Sequence, residues 1–355
     1  MNDPRLARLA QILVRYSLKV KPDETVLIRS SELAKPLVLA VYREVLQVGG
    51  HPLPRIGFEE ANEIFFREAN DRQLREFPEI AMFEAKHIAA MVAIYAPMNL
   101  KGMSSVPPAK SVARARVLQP IQEVLTEKVR WVLCNFPTPA LAQEAEMSLE
   151  EYERFVYGAT NLDWASKRER MTRIARAFER ARTARIVGQD TDLSLGIAGR
   201  KFIVAAGESN MPDGEIFTGP LEDQTEGHIY YEFPAIYGGR EVLGVRLWFE
   251  GGKVVKAKAE KNERYLKTMI AADPGARILG ELGIGCNEKI RRFTKDILFD
   301  EKIGGTVHLA LGKSYPETRG QNKSAIHWDM IKDLRRQGEI YLDGKLVQKN
   351  GHFLI

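Results

Sequence analysis

The chain has 355 residues, a net charge of +5 and only two cysteines, with 45% hydrophobic and 28% charged residues. That is enough chain for two domains, each burying its own core, in the composition of an ordinary soluble protein. It excludes a disulfide framework and a cysteine-based metal site, and no apolar run nears the roughly 18 residues of a membrane span.

In the opening MNDPRLARLAQILVRYSLKV, Leu6, Leu9, Ile12 and Leu13 fall at helical spacing and are interrupted by arginines, with no small-residue cleavage site after them. The stretch therefore reads as a first helix, Pro4 to Val20, and not as a signal peptide. The expected setting is the cytoplasm, with no membrane partner. A strand is predicted at Thr25 to Arg29, then a helix from Leu33 to Val48 stopped by Gly49 and Gly50, and a strand near Leu53 to Ile56. A helix at Glu60 to Phe77 follows, then the almost wholly apolar strand His87 to Tyr95, as expected of a strand covered on both faces. A helix at Ala109 to Glu127, bearing Pro120, leads to the strand Arg130 to Asn135. This alternation predicts an N-terminal α/β domain, residues 1–182, built on a mostly parallel sheet.

Two more helices close that half. Ser148, with Glu151 three residues on, begins one at Leu149 to Tyr157 in a capping-box pattern. The segment Lys167 to Arg185 concentrates Lys167, Arg168, Arg170, Arg173, Arg176, Arg180, Arg182 and Arg185, interleaved with Met171, Ile174, Ala175 and Phe178. It reads as an amphipathic helix with a solvated basic face. No aromatic platform or nucleic-acid module accompanies the charge, so no nucleic-acid partner is expected. After Thr183 strands, glycines and turns dominate, with Gly238-Gly239 and Gly251-Gly252 as tight turns and a hairpin-like tail turning at Asp343-Gly344 and Asn350-Gly351. Residues 183–355 are expected to form a β-rich α/β C-terminal domain that carries the site.

The stretch Gly304 to Asp329 is the densest in chemistry. It reads strand, glycine-rich loop, strand, and holds two of the six histidines. His308 sits among Val307, Leu309, Ala310 and Leu311, while His327 and Asp329 are two apart. Residues i and i+2 of a strand share a face, so that imidazole and carboxylate converge. A buried carboxylate needs a partner, and a cation beside two imidazoles supplies one. Two upstream carboxylates stand in apolar settings: Glu215 after the turn Pro212-Asp213-Gly214, and Glu281 in ARILGELGIG. Taken singly, Glu215 also reads as an exposed or capping residue. Glu281 also reads as a partly buried helix glutamate, and Tyr315 as a solvated turn residue before Pro316. The phosphate-loop pattern fails at GKS, because residue 307 is valine. There is no G-x-S-x-G elbow and no H-E-x-x-H helix.

In order along the chain, GEIFTGP, LGELGIG, VHLALGKSY and SAIHWDMI resemble the signature blocks of the thermophilic-type metalloaminopeptidases, the aminopeptidase T and aminopeptidase S family. The closing IYLDGKLVQKNGHF resembles that family's C-terminus. The resemblance spans about 185 to 355, and is carried in the first half mainly by layout. It implies that Glu215, Glu281, His308, His327 and Asp329 bind two divalent ions, that Tyr315 is the catalytic tyrosine, and that the protein is a homodimer. The implied reaction removes N-terminal residues from peptides with a free N-terminus. Such a nitrogen and oxygen donor set suits zinc, cobalt or manganese. The segment between His308 and His327 is shorter than in those aminopeptidases, a departure that bears on the shape of the substrate cavity and hence on specificity. The rival readings are a dinuclear dipeptidase or amidase acting on small molecules, and a metal-free binding protein of the same fold.

Overall fold

The structure, a computed structural model, describes residues 3–355. By contacts the chain forms two compact units: residues up to Leu162 with Gly207–Pro212, and Asp163–Ala206 with Asp213–Ile355. The basic helix, observed at Trp164–Arg180, groups with the second unit. It turns Met171, Ile174, Ala175 and Phe178 inward, while Lys167 and Arg170 both pair with Glu288.

The first unit is built on a five-stranded sheet in the order His51–Gly57, Thr25–Ser31, Ala90–Tyr95, Arg130–Asn135, Asn210–Met211. Every pairing in it is parallel. Parallel neighbours need crossovers, and the helices Lys35–Gln47 and Pro108–Glu127 supply two of them. Leu27, Met91, Ile121, Leu125 and Val129 form a shared core on one face. Three expectations shift in detail. The opening helix is α-helical only over Pro4–Gln11, capped by Asp3, and continues over Ile12–Ser17 as a wider π turn that buries Ile12, Leu13 and Val14. The helix expected at Glu60 to Phe77 is two, because Asn70 and Gln73 build a capping box that starts a second short helix. A helix at Glu79–His87 precedes the strand, which therefore begins at Ala90 and not at His87. An apolar run does not by itself mark where helix gives way to strand.

The second unit holds two larger antiparallel sheets. One has eight strands, from Lys253–Lys258 at one edge to His352–Phe353 at the other. Within it Gly251 and Gly252 turn at φ of 54° and 78°, and in a separate two-stranded ribbon Gly238 and Gly239 turn at 54° and 74°. Positive φ at both central residues is what a twisted two-residue hairpin demands. The other sheet carries the site, in the order His327–Asp333, Thr306–Gly312, Leu279–Gly285, Glu215–Thr218, Ile203–Ala205. Two of its inner strands, Leu279–Gly285 and Thr306–Gly312, are buried at every position, so each polar side chain on them needs a partner inside the protein.

The turn residue Asp343 ties the eight-stranded sheet together. Its carboxylate accepts the backbone N–H of Thr183 at 2.8 Å, that of Arg182 at 3.0 Å and the Thr183 hydroxyl at 3.0 Å. The Thr183 N–H above all holds this carboxyl below its usual range. A depressed folded-state pKa gives stability that is present above the unfolded value and lost as pH falls. Urea midpoints should therefore decline from pH 6 to pH 3, and the slope should be shallower in Asp343→Asn. Equal slopes would remove Asp343 from the acid sensitivity.

Candidate metal centre

Five side chains from four strands of the buried sheet meet in one line. Glu215 opens its strand directly after the Pro212-Asp213-Gly214 turn. Its Oε2 lies 3.2 Å from Nε2 of His308, and the same nitrogen lies 3.1 Å from Oε1 of Glu281. The other oxygen of Glu281 lies 3.5 Å from Nε2 of His327, which in turn is 3.5 Å from Oδ2 of Asp329. Glu281 is thus the middle carboxylate, one oxygen toward each histidine. It stands in a strand, where the helix alternative would have placed it differently. The sequence-predicted Glu215, Glu281, His308, His327 and Asp329 are all brought together.

Local geometry explains the arrangement. Gly283 pairs with His308 across the two inner strands. A Cβ on Gly283 would stand 1.9 Å from Nε2 of His308. The missing side chain is therefore the space in which the imidazole lies. His327 is held from behind, with Nδ1 2.8 Å from the carbonyl of Lys313. That acceptor fixes the proton on Nδ1 and leaves the Nε2 lone pair facing Glu281 and Asp329, the usual outer support of a metal-binding histidine.

Electrostatics follow from burial. His308, Glu281 and Glu215 are 0%, 5% and 6% exposed. Burial raises Glu281, and the charges of Asp329 and Glu215 add to it, against the hydrogen bond from His308. Burial also opposes ionisation of Glu215, but the Lys302 ammonium and His308 prevail and hold it down at about 2. Burial disfavours a charged His308, yet Glu215 and Glu281 together raise it well above its ordinary value. Glu215 Oε2, Glu281 Oε2 and Asp329 Oδ1 are buried without a hydrogen bond. Buried carboxylate oxygens in that state are the signature of an acceptor set made for a cation. The donors are nitrogen and oxygen only, so the residues fit a divalent ion of the zinc, cobalt or manganese kind.

Two further residues join the line. Glu301 forms with Glu215 and His308 one of two clusters whose ligand atoms lie within 4.8 Å of each other; the second is Glu281, His308 and Asp329. Lys302 is fully buried, with Nζ 3.4 Å from Glu215 Oε1 and in direct contact with Glu301. In sequence, FDEKIGG looks like a solvated turn, and only the adjoining ILF hints that the segment is drawn inward. Tyr315 lies at the rim, 37% exposed, its ring 5.0 Å from that of His327 and 5.9 Å from that of Phe217. Burial, then Glu281 and Asp329, lift its hydroxyl above the ordinary tyrosine value. It is a neutral hydrogen-bond donor at physiological pH.

Gly283→Ala should displace the His308 imidazole and with it the line of ligands. A displacement of about 1 Å at a reacting centre costs on the order of 100-fold in rate, so any metal-dependent activity should fall by at least that. Metal content measured on the same sample should fall with it. An alanine variant with unchanged metal content and activity would show that His308 is dispensable.

The profile of the thermophilic metalloprotease (M29) family matches residues 2–353. Aminopeptidase 2 of Geobacillus stearothermophilus is 26% identical over an alignment covering 97% of this chain and 95% of that protein. Aminopeptidase T of Thermus thermophilus is 27% identical, over 92% of this chain and 91% of that protein. The structure of wild-type AmpT from Thermus thermophilus superposes with a TM-score of 0.86, covering 99% of both chains at 24% identity. At that identity the superposition speaks for the fold.

Proposed function

This chain belongs to the thermophilic metalloprotease (M29) family, and from that premise we propose that it is a metal-dependent aminopeptidase acting on peptides with a free N-terminus. The single observation that supports this most is the unbroken line Glu215, His308, Glu281, His327, Asp329, in which buried carboxylate oxygens lack any hydrogen bond. Glu215, Glu281, His308, His327 and Asp329 would hold the metal in this reading, with Glu301 close to Glu215 and His308. Divalent metal held there would supply Lewis-acid polarisation of a carbonyl and lower the pKa of a water.

The chain's own residues do the rest. The Lys313 carbonyl holds His327 in the tautomer that leaves Nε2 free. The Tyr315 hydroxyl donates a hydrogen bond to the oxygen that gains charge as the carbonyl is attacked. In this reading the substrate's free α-amine would be met at the same end of the line, which is the basis for testing free against acetylated N-termini. The segment between Gly312 and His327, which brings the Lys313 carbonyl and the Tyr315 ring against His327, would bear on the choice of side chain. A homodimer belongs to this reading through the family likeness, and sedimentation should give about twice the 40.1 kDa chain mass.

The test is hydrolysis of aminoacyl chromogenic amides with free or acetylated N-termini. Metal-stripped protein is compared with protein resupplied with zinc, cobalt or manganese. Activity should need both metal and free amine, and His327→Ala should lose it. Cleavage of dipeptides alone in a peptide-length series would favour the dipeptidase alternative, and the absence of any metal binding would favour the binding protein.

A further inference from the structure

We propose that Lys302 fills one of the two cation positions of this centre with its own ammonium. The chain then holds one divalent ion tightly, at the Glu281–His327–Asp329 end. It admits a second at the Glu215–Glu301 end only by displacing that ammonium. The inference rests on the metal-centre reading above and concerns how the two positions differ.

The two ends of the line are chemically unequal. At the inner end, Glu215 and Glu301 are the carboxylates of one candidate cluster, and both are already ion-paired to Lys302. A dication placed among the same oxygens would lie in contact with the ammonium and share its counter-charges. Like charges at that separation inside a protein repel strongly. At the outer end Glu281 and Asp329 bring two carboxylates, and among the described residues neither is paired with a lysine or arginine; they face the two histidines instead. Glu281 Oε2 and Asp329 Oδ1, without hydrogen bonds, are left for a cation that the protein does not itself supply.

Lys302 is built in rather than incidentally near. Its side chain is 0% exposed. Its backbone N–H donates to the Phe299 carbonyl at 3.0 Å, and its carbonyl accepts from the Asn287 N–H at 3.1 Å. The preceding turn is fastened by Asp300, which accepts the N–H and hydroxyl of Thr294 at 2.7 and 2.9 Å. A buried ammonium held this way stays where its carboxylates are. His308 adds to the asymmetry. Its single Nε2 faces both Glu215 and Glu281, and one lone pair serves one ion.

The test is metal stoichiometry. Stripped protein is equilibrated with Mn(II), passed through a desalting column, and analysed by plasma mass spectrometry and by EPR. The wild type should retain about one ion per chain with the six-line signal of an isolated Mn(II). Lys302→Gln and Lys302→Met should retain about two and show the signal of a spin-coupled pair. Titration should place the second wild-type affinity at least 100-fold below the first, and the two within about 10-fold in the variants. Two equally held ions in the wild type would overturn the role of Lys302, and with metal-dependent aminopeptidase activity in the same sample would leave the enzyme reading intact. One ion in wild type and folded variants alike would also overturn it. No retained ion in any of them would overturn both readings. If neither variant folds, the wild-type count and its two affinities still decide.

Discussion

Changing Glu281 to glutamine is expected to abolish metal-dependent activity while leaving the metal-free protein at least as stable as the parent. Glu281 is the carboxylate that faces both histidines, so its loss touches every position in the line. The fall in kcat/KM should exceed the roughly 100-fold that follows from losing an outer-shell partner of a ligand. Stability moves the other way for an electrostatic reason. Burial, with the charges of Asp329 and Glu215, raises the folded-state pKa of Glu281 above its unfolded value. An acid shifted in that direction costs nothing where both states are protonated, and destabilises increasingly as pH rises past the unfolded value. The neutral amide removes that cost. In metal-free protein, urea midpoints of parent and variant should nearly coincide at pH 4, and the variant should be ahead at pH 7. Adding metal at about 100 times its Kd should stabilise the parent by about 2.7 kcal/mol and the variant hardly at all. A variant that kept the parent's metal-linked gain would remove Glu281 from the ligand set.

The same contrast between isolated and assembled chemistry decides what can be read from the amino-acid sequence. The parallel sheet of the first unit follows from alternation of apolar strands with amphipathic helices, and Arg130–Asn135 lies where that pattern puts it. Helix ends are less legible. The Asn70–Gln73 capping box and the π turn at Ile12–Ser17 depend on local hydrogen bonds that hydrophobic periodicity does not record. In the site, His327 and Asp329 announce themselves because the strand period puts them on one face. His308 is conspicuous as a polar residue among aliphatic ones. Glu215 and Glu281 are not distinctive singly, and gain meaning only because their strands flank that of His308, or lie one removed, in the sheet. Glu301 and Lys302 show the limit. Oppositely charged neighbours beside Gly304 and Gly305 have the texture of a surface turn, and what drives them inward is the packing of Leu298 and Phe299 and the fastening of Asp300 by Thr294. No spacing rule carries that information.

Replacing Tyr315 by phenylalanine should lower kcat by about 10²- to 10³-fold, the cost of removing one donor to a developing oxyanion, with little change in KM or metal content. The ring itself has work that phenylalanine can do, since it lies beside His327 and Phe217. Only the hydroxyl is lost. Its proton is secure: burial and then the charges of Glu281 and Asp329 raise it above the ordinary tyrosine value, so it remains a donor throughout the range in which peptides are cleaved. Two consequences separate this role from a wall of the binding pocket. The alkaline limb of the parent's kcat profile should not report a group titrating below the usual tyrosine value of about 10. The loss should also fall on kcat and kcat/KM alike, the pattern of an interaction made only in the transition state. A variant with normal kcat and raised KM would instead make Tyr315 a substrate contact, and the donor to the oxyanion would have to be sought elsewhere around the line from Glu215 to Asp329.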